Sequence, residues 1–390
     1  MNIVEINKER LDYLLSLYRM TKGELLSLIN DGRKRELSWE DIYKNEIDVS
    51  YLKRIDKVFK RGLFYYADPV VPQRKSSSSV FFRKEHFSSD LNYGAKQRVR
   101  EFEDINTRLL AISTLSDIKL QRKLPKCKES MSPIDVAFSI RDKVLPAFVE
   151  NKRDYLKGFI NKLGDLNVIV FEFVDQYNKK HKANIDGFFL LPNAIVLKRR
   201  QDSFSRELFT LAHELGHYLL GEEEIEEVDM MTIPSSFDQM SATERWCNQF
   251  AYYLLLGKEY AELLYEIPKF DSNNDYGHEI VDVVKKATHL SRLAIFTDLM
   301  LQKKLSYSSY LQIRNELEEN RKHNEIIKQQ KKEQDIAMGI ESSGRNPKPI
   351  RAAIISDIYN VALNSGVIGE LEYCKAMNIK PSEIDKYLYQ

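Results

Sequence analysis

The sequence predicts a mostly helical α+β protein with more than one domain. Apolar residues recur at helical spacing along most of the chain, which is typical of amphipathic helices packed on a core. Three short apolar runs that are typical of strands lie together between residues 167 and 197. The length of 390 residues exceeds what one compact core usually contains, which favours two or three domains.

Composition excludes several classes of protein. Hydrophobic residues make up 43% of the chain and charged residues 30%, which is typical of a globular protein. The net charge of +1 argues against a chain that is basic over its whole surface, as many nucleic-acid-binding proteins are. Cys127, Cys247 and Cys374 lie far apart, which excludes a disulfide framework and favours a reducing compartment. No signal peptide and no membrane-spanning run is visible, so we expect a cytoplasmic protein.

The first 67 residues predict a small helical domain. Thr21 and Glu24 have the spacing of a capping box at the start of the second helix, and a third helix follows Ser50. Short helices with tight turns are typical of a helix-turn-helix domain, although other small helical bundles share the pattern. The basic residues at 32–35 are the best candidate for a stretch that contacts DNA.

The rest of the chain predicts three further segments. Residues 68–130 contain a linker rich in proline and serine and a long helix at 94–122. Residues 131–305 combine helices at 133–149 and 153–163, strands at 167–174, 185–191 and 194–197, and further helices. Residues 306–390 contain a charged helix at 311–336, a second linker at 339–349 and a small C-terminal helical unit.

A metal-binding motif stands in the third segment. His213, Glu214 and His217 form the pattern HExxH inside an apolar helical run. Two histidines four residues apart lie on the same face of a helix, where both imidazoles can bind one metal ion. Glu214 lies beside that face and can act as the general base of a hydrolase. A chain of this composition contains such a motif by chance on the order of 0.01 times, so we predict a zinc site.

A catalytic zinc ion needs a third protein ligand, and Glu244 is the best candidate. It stands in the first turn of the next amphipathic helix, 27 residues after His217 (244 minus 217), which is enough chain for the second helix to pack against the first. The other reading of Glu244 is a carboxylate that favours a helix N-terminus. A competing set of carboxylates lies in the acidic stretch that contains Glu222, Glu223, Glu224, Glu226 and Glu227.

Two more residues of the second helix are candidates for the site. Asn248 lies one turn after Glu244, and we expect its amide to form a hydrogen bond with a ligand histidine. Cys247 could approach the metal, although a buried and inert thiol is the better interpretation. The strands that precede the HExxH helix could hold an extended substrate along a sheet edge.

The residues around the motif resemble the ImmA/IrrE family of zinc metallopeptidases. The segments Arg206-Glu-Leu-Phe-Thr-Leu-Ala-His-Glu-Leu-Gly-His-Tyr-Leu-Leu220 and Glu244-Arg-Trp-Cys-Asn-Gln-Phe-Ala251 are similar to its two signature helices. The resemblance covers residues 130–300 and is weaker on both sides. Two positions depart from the family pattern: Cys247 stands where alanine is usual, and Gly257 where proline is common.

The resemblance implies a gluzincin-like fold, in which a small sheet packs against two metal-binding helices. It implies that His213, His217 and Glu244 bind zinc and that Glu214 is the general base. Many members carry an N-terminal helix-turn-helix, although residues 5–67 match a DNA-binding domain poorly. Members are bacterial or phage proteins that act on helix-turn-helix (XRE-like) repressors or antitoxins, in stress responses, mobile elements or toxin–antitoxin pairs.

Three hypotheses of function remain. The first is a zinc endopeptidase that cleaves a specific protein partner. The second is a non-proteolytic regulator that binds DNA or protein, with the metal domain as a sensor or docking surface. The third is a toxin that a cognate antitoxin neutralises. Because Glu214 is not a metal ligand, its replacement by glutamine distinguishes the first hypothesis from the second.

Overall fold

The computed structural model describes residues 2–70, 72, 79–80, 91–175, 180–200, 203–223, 240–273, 275–338 and 348–384. Over these residues the protein is mostly helical with two small sheets, which confirms the predicted α+β class. The chain divides into two compact units, Met1–Ile105 and Asn106–Gln390. The four predicted domains, 1–67, 68–130, 131–305 and 306–390, form a finer division that stays a prediction. None of the described helices is long and apolar enough to cross a lipid bilayer.

The first unit is a helical bundle with a two-stranded antiparallel sheet. Its elements are β1 (Ile3–Glu5), α1 (Lys8–Leu17), α2 (Lys22–Asn30), α3 (Trp39–Ile42), β2 (Glu46–Asp48), α4 (Val49–Phe59) and α5 (Leu63–Ala67). The predicted capping box is present at the start of α2. Thr21 Oγ1 accepts a hydrogen bond from the Glu24 amide at 3.2 Å, and the Glu24 carboxylate accepts one from the Thr21 amide at 2.6 Å.

The basic stretch of the first unit does not lie on a helix. Residues 32–35 belong to the loop between α2 and α3, and α3 itself has four residues. A recognition helix presents several side chains to the major groove, whereas four residues form about one turn. The helix-turn-helix assignment and DNA binding therefore stay predictions that this local structure does not strengthen.

The second unit begins within α6 (Tyr93–Leu115) and contains the HExxH motif. The elements before the motif helix are α7 (Pro133–Val144), α8 (Lys152–Asp165), β3 (Ile169–Phe173), β4 (Gly187–Leu190) and β5 (Ala194–Lys198). The motif helix is α9 (Phe204–Leu220), and Glu244 lies on α10 (Ala242–Leu256). The elements that follow are α11 (Lys258–Glu266), α12 (Asp275–Thr288), α13 (Arg292–Leu301), α14 (Tyr307–Ala337), α15 (Ala353–Asn364), α16 (Glu370–Met377) and a 3-10 turn (Pro381–Glu383).

Three predicted helices have different ends in the structure. Helix α6 ends at Leu115 instead of residue 122, in a turn where Asp117 has φ of 56°. Helix α7 ends at Val144 instead of residue 149, because Leu145 precedes a proline and that position disfavours the helical conformation. Helix α8 continues through Gly164 to Asp165. Gly164 therefore lies inside α8 and does not end it, and a Cβ atom there would be 3.3 Å from Ile354 Cγ2 of α15.

The three predicted strands form one sheet in the order β3-β5-β4. Strands β3 and β5 are parallel, with Ile169 opposite Ala194, whereas β4 and β5 are antiparallel, with Gly187 opposite Leu197. Almost every residue of the three strands is buried, because helices pack on the sheet. Helix α9 packs on β4 and β5 and also along α10. This packing places the HExxH motif beside β4, which is an edge strand of the sheet.

Candidate metal centre

Helix α9 places both histidines of the motif in the interior. His213 and His217 lie one turn apart, and their residues are 2% and 1% exposed. Their Nε2 atoms are 3.0 Å apart. The helix has this orientation because its apolar residues Leu208, Leu211, Leu215 and Leu219 are fully buried in the core. The predicted pair of imidazoles therefore converges on one point.

Helix α10 brings the predicted third ligand to the same point. Glu244 is 3% exposed, and its Oε2 and Oε1 atoms lie 3.1 Å from the Nε2 atoms of His213 and His217, respectively. The first turn of α10 is held by Ser241, whose Oγ accepts a hydrogen bond from the Glu244 amide at 3.0 Å. Among the described residues, this histidine–histidine–glutamate group is the one whose atoms are arranged to hold a metal ion.

The donor atoms fit a tetrahedral metal ion such as zinc. The two imidazole nitrogens lie 3.0 Å apart, and each lies 3.1 Å from a different oxygen of the Glu244 carboxylate. Ligand atoms about 2.05 Å from a tetrahedral centre lie about 3.3 Å from one another, so these atoms need only a small outward movement to form such a coordination shell. Three protein ligands also leave one coordination position for water or substrate, which is the arrangement of a catalytic site.

The electrostatics of Glu244 agree with a ligand carboxylate. Burial by itself would raise the pKa of this carboxyl, but the charge of His213 and hydrogen bonds from both histidines lower the pKa below its ordinary value. The carboxyl is therefore ionised at neutral pH. An ionised carboxylate is the form that binds a metal ion.

Glu214, the predicted general base, is a residue of α9, and its side chain extends towards the edge strand β4. Its side chain is buried, and its Cγ would lie 3.2 Å from a Cβ atom on Gly187. Thr210 of α9 approaches the same position, with its Cγ2 at 2.7 Å. Because Gly187 has no side chain, the Glu214 side chain has room to contact the strand. Helix α9 thus presents His213 and His217 to the candidate metal centre and directs Glu214 towards the edge of the sheet.

The other candidate residues of α10 are placed differently from the ligands. The Asn248 Nδ2 atom donates to the Met240 sulfur at 3.7 Å, so the predicted hydrogen bond to a ligand histidine is not among its contacts and stays a prediction. Cys247 is fully buried and packs against Gly216 of α9. Its thiol does not belong to the metal-binding group, which agrees with the interpretation of a buried and inert thiol.

The competing ligands have other contacts or lie outside the described residues. Glu223 accepts a hydrogen bond from the Leu191 amide at 2.8 Å, and Glu222 is exposed. Glu224, Glu226 and Glu227 lie outside the described residues. The ring nitrogens of His278 contact Ser272 and Arg292, and His289 Nε2 contacts the Val149 carbonyl at 2.8 Å. Neither histidine joins the metal-binding group.

Comparison with protein families defines the class of the domain that carries this site. Residues 165–273 match the family model Peptidase_M78, the IrrE N-terminal-like domain. This range contains the sheet, both ligand helices and all four residues His213, Glu214, His217 and Glu244. Comparison with curated proteins and with solved structures gave no match. The matched part of the chain is similar to the IrrE N-terminal-like domain, which confirms the resemblance of this part to the ImmA/IrrE family.

Sequence reasoning missed two glycines that shape the site. Gly187 makes room for Glu214, and Gly216 lets α10 pack closely on α9. The first had a visible signal, because an isolated glycine within a strand often marks a close approach of another element. The second stands inside the HExxH motif, where a glycine in a helix interior has a cost in stability that suggests a packing role.

Proposed function

We propose that the protein is a zinc-dependent endopeptidase that cleaves a specific protein partner. The observation that carries the proposal is the convergence of His213, His217 and Glu244 on one point, with Glu214 beside them at the edge of a sheet. The matched family of peptidases supports the reaction class. Zinc is proposed because two imidazoles and one carboxylate in a small triangle suit its tetrahedral preference.

The edge of β4 offers a site for an extended substrate. The Lys198 amide donates a hydrogen bond to the Asp186 carbonyl just before β4. Because backbone groups alternate in direction along an antiparallel strand, those of Phe188 and Leu190 also point towards β5. The amide and carbonyl groups of Gly187 and Phe189 therefore point away from β5. No described residue forms a backbone hydrogen bond with these groups. A peptide could pair with them as an added strand and pass beside the metal centre.

Each residue of the site has a separate role in the proposed hydrolysis of a peptide bond. A bound zinc ion would supply an acidified water and a polarised carbonyl group. The Glu214 carboxylate takes the proton of the attacking water and donates it to the leaving amine, which is the usual role of a general base that becomes a general acid. Gly187 and Phe189 hold the substrate backbone extended. His213, His217 and Glu244 hold the metal and do not transfer protons.

The partner is proposed from the resemblance to the ImmA/IrrE family. We propose a helix-turn-helix repressor or an antitoxin of the XRE type, cleaved in a bacterial or phage regulatory system, a stress response or a toxin–antitoxin pair.

The test compares wild type with Glu214→Gln and with Glu222→Gln, a control at an exposed carboxylate just after α9. Each purified protein is analysed for zinc and incubated with the helix-turn-helix protein encoded by the neighbouring gene. We expect about one zinc ion in all three proteins, since Glu214 is not a ligand. Glu214→Gln should cleave at least about 100-fold more slowly, because general acid–base catalysis contributes at least that factor.

Each outcome has a distinct meaning. Zinc in all proteins and cleavage by wild type and Glu222→Gln alone supports the proposal. Zinc in all proteins without cleavage of this partner contradicts the proposed substrate and favours a non-proteolytic regulator. Equal cleavage by Glu214→Gln contradicts the role of the base, and a wild-type protein without zinc contradicts the metal centre.

A further inference from the structure

The two ligand helices are in close contact at one residue pair. An ideal Cβ atom built on Gly216 of α9 would lie 3.0 Å from Cys247 Sγ, 3.2 Å from Cys247 Cα and 3.2 Å from Cys247 Cβ. All three atoms belong to one residue of α10, and one of them is backbone. The two helix backbones therefore approach each other here as closely as a glycine allows.

This contact lies next to the metal ligands on both helices. Gly216 immediately precedes His217 on α9, and Cys247 follows Glu244 by three residues on α10. Gly216 and Cys247 are buried, so no solvent-filled space lies between the helices at this level. A change in the distance between the helices at this pair therefore moves Glu244 relative to the two histidines.

We infer that Gly216 and Cys247 are a positioning pair: their combined size sets the distance between α9 and α10 and thereby the fit of the three ligands to the metal ion. The inference rests on the proposed metal centre and adds residues that touch neither metal nor substrate. It also accounts for the departure at position 247. A side chain larger than alanine is accommodated there because the residue opposite to it is glycine.

The distances at this contact indicate that a larger residue at position 216 would disturb the coordination of the metal ion. Ordinary contacts of a Cβ atom begin near 3.4 Å, so a methyl group at position 216 requires a movement of 0.2–0.4 Å (3.4 minus 3.2 and 3.4 minus 3.0). Coordination distances in metal sites tolerate deviations of about 0.2 Å. The required movement therefore reaches or exceeds the tolerance of the coordination shell. Cys247 cannot avoid it by rotating, because its Cα and Cβ atoms take part in the contact.

The experiment measures zinc affinity and thermal stability of the full-length, metal-free protein. Zinc is titrated against a competing chelator into wild type, Gly216→Ala and Gly216→Ala/Cys247→Gly. We expect Gly216→Ala to bind zinc about 10-fold or more weakly, which is the range seen when residues that support metal ligands are changed. The double variant removes the Cβ and Sγ atoms of position 247 and leaves the contact of the Cα atom at 3.2 Å, so it should recover most of the affinity.

Gly164→Ala is the matched control. Gly164 is also a glycine inside a helix of the second unit, but its Cβ would meet Ile354 of α15, a helix that carries no ligand. Gly164→Ala should keep the zinc affinity of wild type. If Gly216→Ala fails to fold, Cys247→Val tests the same contact from the other helix, because it adds bulk opposite Gly216.

The outcomes separate this inference from the proposed function. Zinc binding by wild type with unchanged affinity in Gly216→Ala overturns the positioning pair and leaves the metal centre intact. Loss of affinity that Cys247→Gly does not restore, in a double variant that folds, also overturns it. A wild-type protein without zinc affinity contradicts both the metal centre and the inference that rests on it. Loss in Gly216→Ala with recovery in the double variant supports the pair.

Discussion

Gly187 shows how the absence of one side chain determines the place of another. Its Cβ position is approached by Thr210 Cγ2 at 2.7 Å, by the Val196 carbonyl oxygen at 3.1 Å and by Glu214 Cγ at 3.2 Å. These atoms come from β5 and α9, so the residue lies where the sheet and the motif helix meet. Gly187 is thus needed for the position of Glu214, although it carries no chemistry itself.

We predict that Gly187→Ala lowers kcat about 10-fold or more and leaves the zinc content near one. The added methyl group displaces Glu214 and the strand edge, whereas none of the three atoms nearest to this position belongs to a metal ligand. Gly23→Ala in the first unit is the control, because a Cβ at Gly23 meets nothing within 4 Å. Unchanged kcat in Gly187→Ala would contradict the position assigned to Glu214.

Asp298 of α13 provides a pH-dependent contribution to stability. Burial raises the pKa of its carboxyl to about 6, and hydrogen bonds from Tyr253 at 3.2 Å and Gln302 at 2.7 Å offset part of this effect. A pKa that is raised on folding stabilises the protein at low pH, and this contribution is lost as the pH rises through the folded pKa.

Asp298→Asn should therefore change the pH dependence of stability. The contribution of Asp298 to the free energy of unfolding falls by about 1 kcal/mol between pH 5 and pH 7, and the asparagine variant should lack this fall. Denaturant unfolding of wild type and variant at several pH values measures the difference. Parallel curves for the two proteins would show that the carboxyl of Asp298 does not titrate in this range.

Among the elements, α10 is stabilised by specific residues at both ends, and the sequence analysis noted only the one at its C-terminal end. Its N-cap is Ser241, and its C-terminal end is Gly257 with φ of 80°. Proline has φ near −65°, so a proline at position 257 could not adopt this conformation. The departure of Gly257 from the family pattern therefore reflects how α10 turns into α11 in this protein.

The N-cap of α10 leads to a prediction about metal affinity. Ser241→Ala removes the acceptor of the Glu244 amide and should reduce the free energy of unfolding by about 1 kcal/mol. It should also weaken zinc binding several-fold, because the first turn that carries Glu244 becomes less ordered. Calorimetric titration of the metal-free protein with zinc measures this effect.

Ser132→Ala provides the comparison for the cap of α10. Ser132 caps α7 through the same type of bond, with the Asp135 amide 3.3 Å from its Oγ, but α7 carries no ligand. Both variants should lose similar stability, and only Ser241→Ala should lose zinc affinity. Equal zinc affinities in the two variants would contradict the link between the cap and the metal.

The types of most elements could be predicted from sequence, while their ends could not. Strands β3 and β4 lie within the predicted runs, and β5 extends one residue beyond its predicted run, to Lys198. The predicted charged helix lies within α14. The end of α6 is followed by a left-handed residue and the end of α7 by a proline, whereas α8 continues through a glycine that packs against α15. Only the proline is a local signal, and the other two depend on the path of the chain.

At the scale of the second unit, a buried charged network joins the sheet to the C-terminal segment. Arg199 is paired with Glu172 of β3 and, at 2.9 Å, with Glu207 of α9. The Glu172 carboxylate also accepts hydrogen bonds from the amides of Ile350 at 3.0 Å and Arg351 at 2.6 Å. One carboxylate therefore links the strand, the motif helix through Arg199, and the chain that leads into α15.

We predict that Glu172→Gln loosens the C-terminal segment from the sheet. Loss of the buried negative charge should lower the free energy of unfolding by on the order of 2 kcal/mol, because Arg199 loses a charged partner. The amides of Ile350 and Arg351 should exchange with deuterium about 10-fold faster, which mass spectrometry of the corresponding peptide measures. Glu150→Gln, a change at an exposed carboxylate, should affect neither quantity. Unchanged exchange in Glu172→Gln would show that other contacts hold the segment.

The sequence by itself determined the candidate metal centre of this protein, because the spacing of its residues is local. The geometry of a single helix arranges His213, Glu214 and His217. Glu244 requires in addition only that the next helix packs against the first. The tertiary structure decided which residues surround them: Gly187 against Glu214, Gly216 against Cys247, and Met240 against Asn248. These contacts join different elements of the fold, and their distances are set by how helices and strands pack together, which local periodicity does not encode.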